Sequence, residues 1–194
     1  MKTKYNTFRA FATLLCALAA LLLSSITRAQ NVALSTNLAS IADFGTLNME
    51  ASYAVSQHWS LTAGMRYNPF TFNGGADDGE RQNRQRSVSA GARYWPWHIY
   101  SGWWAAAKAQ WQEYNLGGFS SPQTREGDRL GAGVSLGYSY MLSPHINMEM
   151  GAGIWGGAEK YTLYACPTCG RRLDNGNAMF VMLNEVLVSL SYVF

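Results

Sequence analysis

The chain has 194 residues with 15 Lys and Arg against 12 Asp and Glu, and its net charge of +3 draws on Lys2, Lys4 and Arg9 near the N-terminus, so composition makes no case for binding nucleic acid. Charged residues make up only 14% of the chain while Gly, Tyr and Trp number 19, 11 and 7, an odd balance for a soluble domain. Beyond the N-terminal leader roughly 165 residues remain, one domain by length, and no later stretch approaches the about 20 apolar residues of a spanning helix.

Lys2, Lys4 and Arg9 precede the apolar run Phe11 to Leu23, and small residues around Ser24 to Ala29 follow it. This is the build of a cleaved secretory signal, residues 1–29, ending just before Gln30. Leu15 before Cys16 and the continuing run Ala17 to Leu23 argue against a lipoprotein site. Residues 30–194 then form one exported domain.

That domain opens on a less regular strand near Val32 to Ser40, and from Leu47 apolar residues alternate with polar or small ones. Leu47, Met49, Ala51, Tyr53 and Val55 oppose Asn48, Glu50 and Ser52. After the tight turn Ser56 to His58, Trp59, Leu61, Ala63, Met65 and Tyr67 oppose Ser60, Thr62, Gly64, Arg66 and Asn68. The long connection Asn73 to Arg86 leads to Val88, Ala90, Ala92 and Tyr94 against Ser89, Gly91 and Arg93. The short Pro96 to Gly102 leads to Trp103, Ala105, Ala107, Ala109 and Trp111 against Ala106, Lys108, Gln110 and Gln112. The long Gly117 to Arg129 precedes Ala132, Val134, Leu136 and Tyr138, opposed by Gly131, Gly133, Ser135 and Gly137. The tight Ser143 to His145 precedes Ile146, Met148, Met150, Ala152 and Ile154, opposed by Asn147, Glu149, Gly151 and Gly153. The long Ala165 to Gly176 leads to Val186, Val188, Leu190, Tyr192 and Phe194 against Glu185, Ser189 and Ser191. Alternation of period two marks two-faced strands, and the count is about eight.

A soluble sandwich or lipocalin-like barrel also alternates. Rotation of short and long connections separates the classes, because an outer-membrane barrel with both termini in the periplasm has short turns inside and longer loops outside. Trp59, Trp95, Trp97, Tyr100, Trp103, Trp104 and Tyr140 cluster where strands meet turns, as an interfacial girdle does. The final strand, with Phe194 last and Tyr192 on the same face, looks like the signal read by outer-membrane assembly machinery. The sequence therefore predicts an all-β fold: an eight-stranded antiparallel transmembrane β-barrel with periplasmic termini, in the cell outer membrane.

The inward faces carry Glu50, Arg66, Arg93, Lys108, Glu149 and Glu185, beside Asn48, Gln110, Gln112 and Asn147. An eight-stranded barrel is just wide enough for side chains to fill, so these balanced charges are expected to pair across the lumen. A polar core that closes the barrel is the leading reading, and a gated ion path or proton relay competes with it. Outer-membrane lipid hydrolases and acyltransferases set Ser and His at the outer leaflet, since a hydroxyl needs a base to take its proton. His58, His98 and His145 instead fall in short turns at the opposite end. With no phosphate loop, metalloprotease motif or nucleophile elbow, no catalytic residue is assigned, and no enzyme activity, cofactor or metal is expected.

Cys166 and Cys169 form a C-x-x-C in the last long connection. They supply half of a tetrahedral zinc site, which a second copy of the chain, or Asp174 and a water, would have to complete, and they lack the strand-helix context of a redox motif. In an oxidising periplasm a disulfide staple is the better reading. Such a staple would present Arg171 and Arg172, which with Arg81, Arg84, Arg125 and Arg129 are candidate contacts for lipopolysaccharide phosphates. The alternative is that the arginines simply keep the loops solvated beside Asp77, Asp78, Glu80, Glu126 and Asp128.

Thr36-Asn37-Leu38, Tyr67-Asn68-Pro69-Phe70, Arg93-Tyr94-Trp95, Tyr114-Asn115, Gly131 to Tyr138, Cys166 to Gly170 and Tyr192-Val193-Phe194 occur in an order and spacing over nearly the whole exported domain that resembles a family of small outer-membrane barrels from Gram-negative gut and oral anaerobes, catalogued as a domain of unknown function. The resemblance implies the barrel fold and outer-membrane location and transfers no catalytic residue. The segment Asn73 to Arg86 departs from it, so no partner specificity carried there can be borrowed. The expected protein is a monomer with a structural or surface-interaction role. Its partners would be outer-membrane lipid and lipopolysaccharide, the assembly machinery, and an extracellular ligand or surface protein at the long loops. A narrow channel and a lipid-modifying enzyme are the alternatives.

Overall fold

The computed structural model describes residues 31–73, 80–118, 121–167 and 170–194, apart from the side chains of Asn73, Asn184 and Glu185. The predicted signal, residues 1–29, lies outside the described residues. The chain forms β1 (Val32–Asn37), a short helix α1 (Leu38–Ala42), β2 (Leu47–Ala54), β3 (Trp59–Asn68), β4 (Thr71–Asn73), β5 (Glu80–Tyr94), β6 (Gly102–Gly117), β7 (Thr124–Ser143), β8 (Ile146–Tyr164) and β9 (Arg172–Val193). Each barrel strand pairs antiparallel with its neighbours, β3 with β5 directly, and β1 pairs with β9. The eight long strands thus close on one another, which removes the free sheet edges that would otherwise invite association. The small strand β4 continues the line of β3 along β5.

Closure fixes the stagger. A row of register partners leaves β9 at Val181 and runs through Gly156, Ala132, Ala109, Ala90, Ala63, Ala51 and Leu34, then returns to β9 at Tyr192. A row that returns displaced along its own strand is the shear that tilts the strands of a closed barrel.

The two faces are the reverse of a water-soluble barrel. Outward positions carry a belt of apolar side chains, with Leu130 and Leu136 each 65% exposed and Met179 and Val181 near 80%. Inward positions bury Ser60, Thr62, Arg93, Lys108, Gln110, Asn147 and Glu149. Near its middle β9 changes phase: Met179, Val181 and Leu183 point outward, and so do Val186, Leu190 and Tyr192. A register shift makes this possible, Gly153 facing Glu185 while Ile154 faces Leu183. The extra residue, Asn184, is a bulge that keeps apolar side chains outside on both halves of the strand.

The ends differ in reach. Residues 55–58, 95–101 and 144–145 join strands at the end that carries Asn31 and Phe194. At the opposite end β5 to β9 run on as long hairpins, and within the connections expected from Asn73 to Arg86, Gly117 to Arg129 and Ala165 to Gly176 the segments 80–86, 124–129 and 172–176 are strand. Here the sequence is polar on both faces, so no alternation betrays the ladder. Cross-strand pairs such as Arg86 with Glu113 and Asn115 with Glu126 sit along it instead. The first strand also ends earlier than Ser40, because the Asn37 side chain accepts the Ala39 amide at 3.0 Å and caps α1.

Candidate functional site

The lumen is filled in three layers, beginning at the end with the short turns. Trp95 and Trp104 are buried there with Tyr100, so these three residues of the expected girdle line the inside, whereas Trp59, Trp97, Trp103 and Tyr140 are exposed. The connection 95–101 folds into the barrel mouth. Its Tyr100 adopts φ 62°, a left-handed conformation that costs a non-glycine residue about 1 kcal/mol or more. The Tyr100 hydroxyl donates to the Asn31 and Ser52 carbonyls at 3.1 and 3.3 Å. Its own carbonyl accepts from Ser139 Oγ at 3.0 Å and Asn147 Nδ2 at 2.7 Å. The bonds tie the plug to the ends of β2, β7 and β8. Gly137 makes room for it, since a Cβ there would collide with the Trp104 indole.

The middle layer joins four of the six inward charges expected from the sequence. Arg93 spans the lumen, with Nη1 2.8 Å from Glu149 Oε2 and Nη2 2.8 Å from Glu50 Oε1. Lys108 Nζ lies 2.6 Å from the other Glu50 oxygen, and Ser191 Oγ donates to Glu149 at 2.9 Å. Every one of these carboxylate oxygens therefore has a charged or hydroxyl donor. The Arg93 guanidinium also stacks 4.2 Å from the Trp104 ring, which couples this layer to the plug. Arg66 is half-buried and borders, with this group, a cavity of about 30 Å³, the space of roughly one water. Glu185 belongs to β9, and its side chain lies outside the described residues.

The third layer was missed from sequence. Glu159 is buried, accepts from Arg129 Nε at 2.7 Å and from Tyr114 Oη at 3.1 Å, and pairs with Arg125. Arg129 lies 3.8 Å over the Tyr114 ring. Arg125 and Arg129, expected in an exposed loop, are therefore strand residues turned inward. The physical reason is parity: both continue the inward face of Gly131 and Gly133 past the point where apolar alternation stops.

Of the other candidate lipid-contacting arginines, Arg81 and Arg84 are exposed on β5, and Arg171 and Arg172 are exposed at the start of β9. On the outer face, Arg84 and Arg86 of β5, Glu113 of β6, Glu126 and Asp128 of β7 and Lys160 of β8 line a groove of about 610 Å³. It lies directly beyond the apolar belt. The register row Met65, Val88, Trp111, Leu130, Ala158 and Met179 is followed on the same strands by Tyr67, Arg86, Glu113, Asp128, Lys160 and Asn177. Arg86 binds Glu113 through Nε at 2.6 Å, and Tyr164 donates to Glu126 at 2.8 Å.

His58 and His145 each bind a carbonyl, of Trp95 and Val193, at 2.9 Å, and His98 bridges Ser101 within its turn. Cys166 is half-buried in the β8–β9 connection; Cys169 lies outside the described residues, and with it their pairing. Among the described residues no group of three or more His, Cys, Asp and Glu is placed to hold a metal ion, and no helix is long and apolar enough to cross a membrane.

No curated protein matches the chain. A family described as "Protein of unknown function (DUF3575)" matches residues 12–194, so this closed, eight-stranded barrel belongs to that family.

Proposed function

We propose that the protein is a monomeric, non-enzymatic β-barrel of the cell outer membrane, whose lumen is closed and whose long hairpins form a structural or surface-interaction platform outside the cell. The observation that carries this reading is the reversed polarity of the closed barrel: an exposed apolar belt surrounds a buried, ion-paired polar lumen. Exposed apolar surface on that scale is a liability in water and a requirement in a bilayer, where every backbone polar group is satisfied within the closed sheet. The short turns and both termini then face the periplasm, the hairpins face outward, and Phe194 ends the strand offered to the assembly machinery. Cys166 and Cys169 form a disulfide in the outermost connection, near Arg171 and Arg172. Three layers of side chains across the lumen, among the described residues, speak against a wide pore.

Cell fractionation combined with surface labelling tests the proposal. The chain is expected in the outer-membrane fraction, with mobility that changes on boiling, and its C-x-x-C should take a membrane-impermeant maleimide on intact cells only after mild reduction. Recovery in the soluble periplasm would overturn the membrane reading, and labelling without reductant would overturn the disulfide.

A further inference from the structure

Below the charged groove on the same strands lies a second depression. Ala90 of β5, Ala107 and Ala109 of β6, Ala132 of β7 and Gly156 of β8 form the floor of a shallow apolar trough of about 590 Å³, with Val134, Ile154 and Val181 at its sides. A single register row separates trough from groove, and on β8 that row is only Ala158, so Gly156, Ala158 and Lys160 make a continuous smooth path from one to the other. Elsewhere the belt is studded with large side chains, Leu61, Met65, Tyr138 and Met150 among them. The smooth patch and the charged patch are therefore stacked along the strand direction, in the arrangement an amphiphile has.

The groove's charges narrow the headgroup. The side chains of Arg84 and Lys160 are exposed and make no hydrogen bond or ion pair among the described residues, while that of Arg86 is already held by Glu113. Two uncommitted cations beside carboxylates suit a ligand that brings phosphate for the cations and hydroxyls for Glu126 and Asp128. Tyr67, 53% exposed on the same register row as Arg86, supplies an amphipathic ring at the level where a headgroup meets an acyl chain.

We infer that the outer face of β5 to β8 is a binding site for one bisphosphorylated glycolipid of the outer leaflet, with one phosphate met by Arg84, the other by Lys160 three strands away, and an acyl chain lying in the Ala/Gly trough. The inference rests on the outer-membrane reading and adds a defined site and ligand class to it. Arg84 alone of the arginines expected to meet lipopolysaccharide belongs to the site. Lys160 joins it from a strand that carried no such expectation.

The test is native mass spectrometry of the protein released from phosphatidylcholine nanodiscs doped with bisphosphorylated lipid A or with its dephosphorylated counterpart. One bisphosphorylated molecule is expected to stay bound, the dephosphorylated lipid is not, and inorganic phosphate should not displace it. Arg84→Gln with Lys160→Gln should weaken retention at least tenfold, and so should Ala109→Phe with Ala132→Phe, which fills the trough without touching the charges. Arg171→Gln with Arg172→Gln should leave it unchanged. Retention that ignores the lipid's phosphates, or that survives both double variants, would overturn the site while leaving the barrel in its bilayer. A chain that fails to enter the nanodisc would overturn the membrane reading and the site with it.

Discussion

Arg93 is the residue on which the lumen's electrostatics converge, because its two terminal nitrogens each hold a different carboxylate, 2.8 Å away in both cases. Removing one partner of a buried ion pair leaves an uncompensated charge, a loss of about 3–5 kcal/mol in stability. Arg93→Gln should therefore lower the urea midpoint of the refolded barrel strongly, and adding Glu149→Gln should restore part of it, since Lys108 still neutralises Glu50. An unchanged midpoint for Arg93→Gln would show that the network carries no net stability. These inward charges were legible because each sits on a strand whose other face is apolar. Trp95 and Trp104 were misplaced only by their position next to turns, since parity already grouped Trp95 with Arg93 and Trp104 with Ala106. The same rule, carried beyond Leu130, would have found Arg129 and Arg125.

At the scale of the element, β9 shows how one residue sets the orientation of many. Deleting Leu183 together with Asn184 would remove the bulge and, with the lower half held in register by β1, turn Met179 and Val181 into the lumen while Phe180 and Met182 face outward. Phe180 packs edge-on against Trp155 at 4.6 Å, so the third layer would also lose a wall. The expected result is a chain that fails to reach the folded, boiling-sensitive form; normal folding would mean that β9 can slip without consequence. A charge on the belt is a milder test of the same faces. Ala107→Arg, mid-strand on β6 with Ala92 and Val134 as neighbours, should cost about 2–4 kcal/mol in a bilayer, read as reduced yield in the outer membrane. Undiminished yield would refute the outward assignment of that face. The bulge left a trace in the sequence as a change of phase between Leu183 and Val186. The hairpin extensions left none, because strands polar on both sides have no period to detect.

For the molecule as a whole, three layers of described side chains cross the lumen, at its short-turn end, its middle and its long-hairpin end. Planar bilayers containing the protein should show no discrete conductance steps, and steps abolished by Arg66 or Glu149 replacement would establish the channel alternative. The fold class followed from alternation and the rhythm of connections, whereas the outer groove could not be foreseen, since it depends on which polar residues meet across four strands. On the outer-membrane reading proposed above, the apolar belt faces lipid. Spin labels at Ala107→Cys and Asp128→Cys, placed one at a time in a Cys166→Ser, Cys169→Ser background and refolded into vesicles, test it most directly. The label at 107 should be relaxed by dissolved oxygen and shielded from a water-soluble nickel complex, and the label at 128 should behave in the opposite way. Equal exposure of both positions to the nickel complex would contradict it.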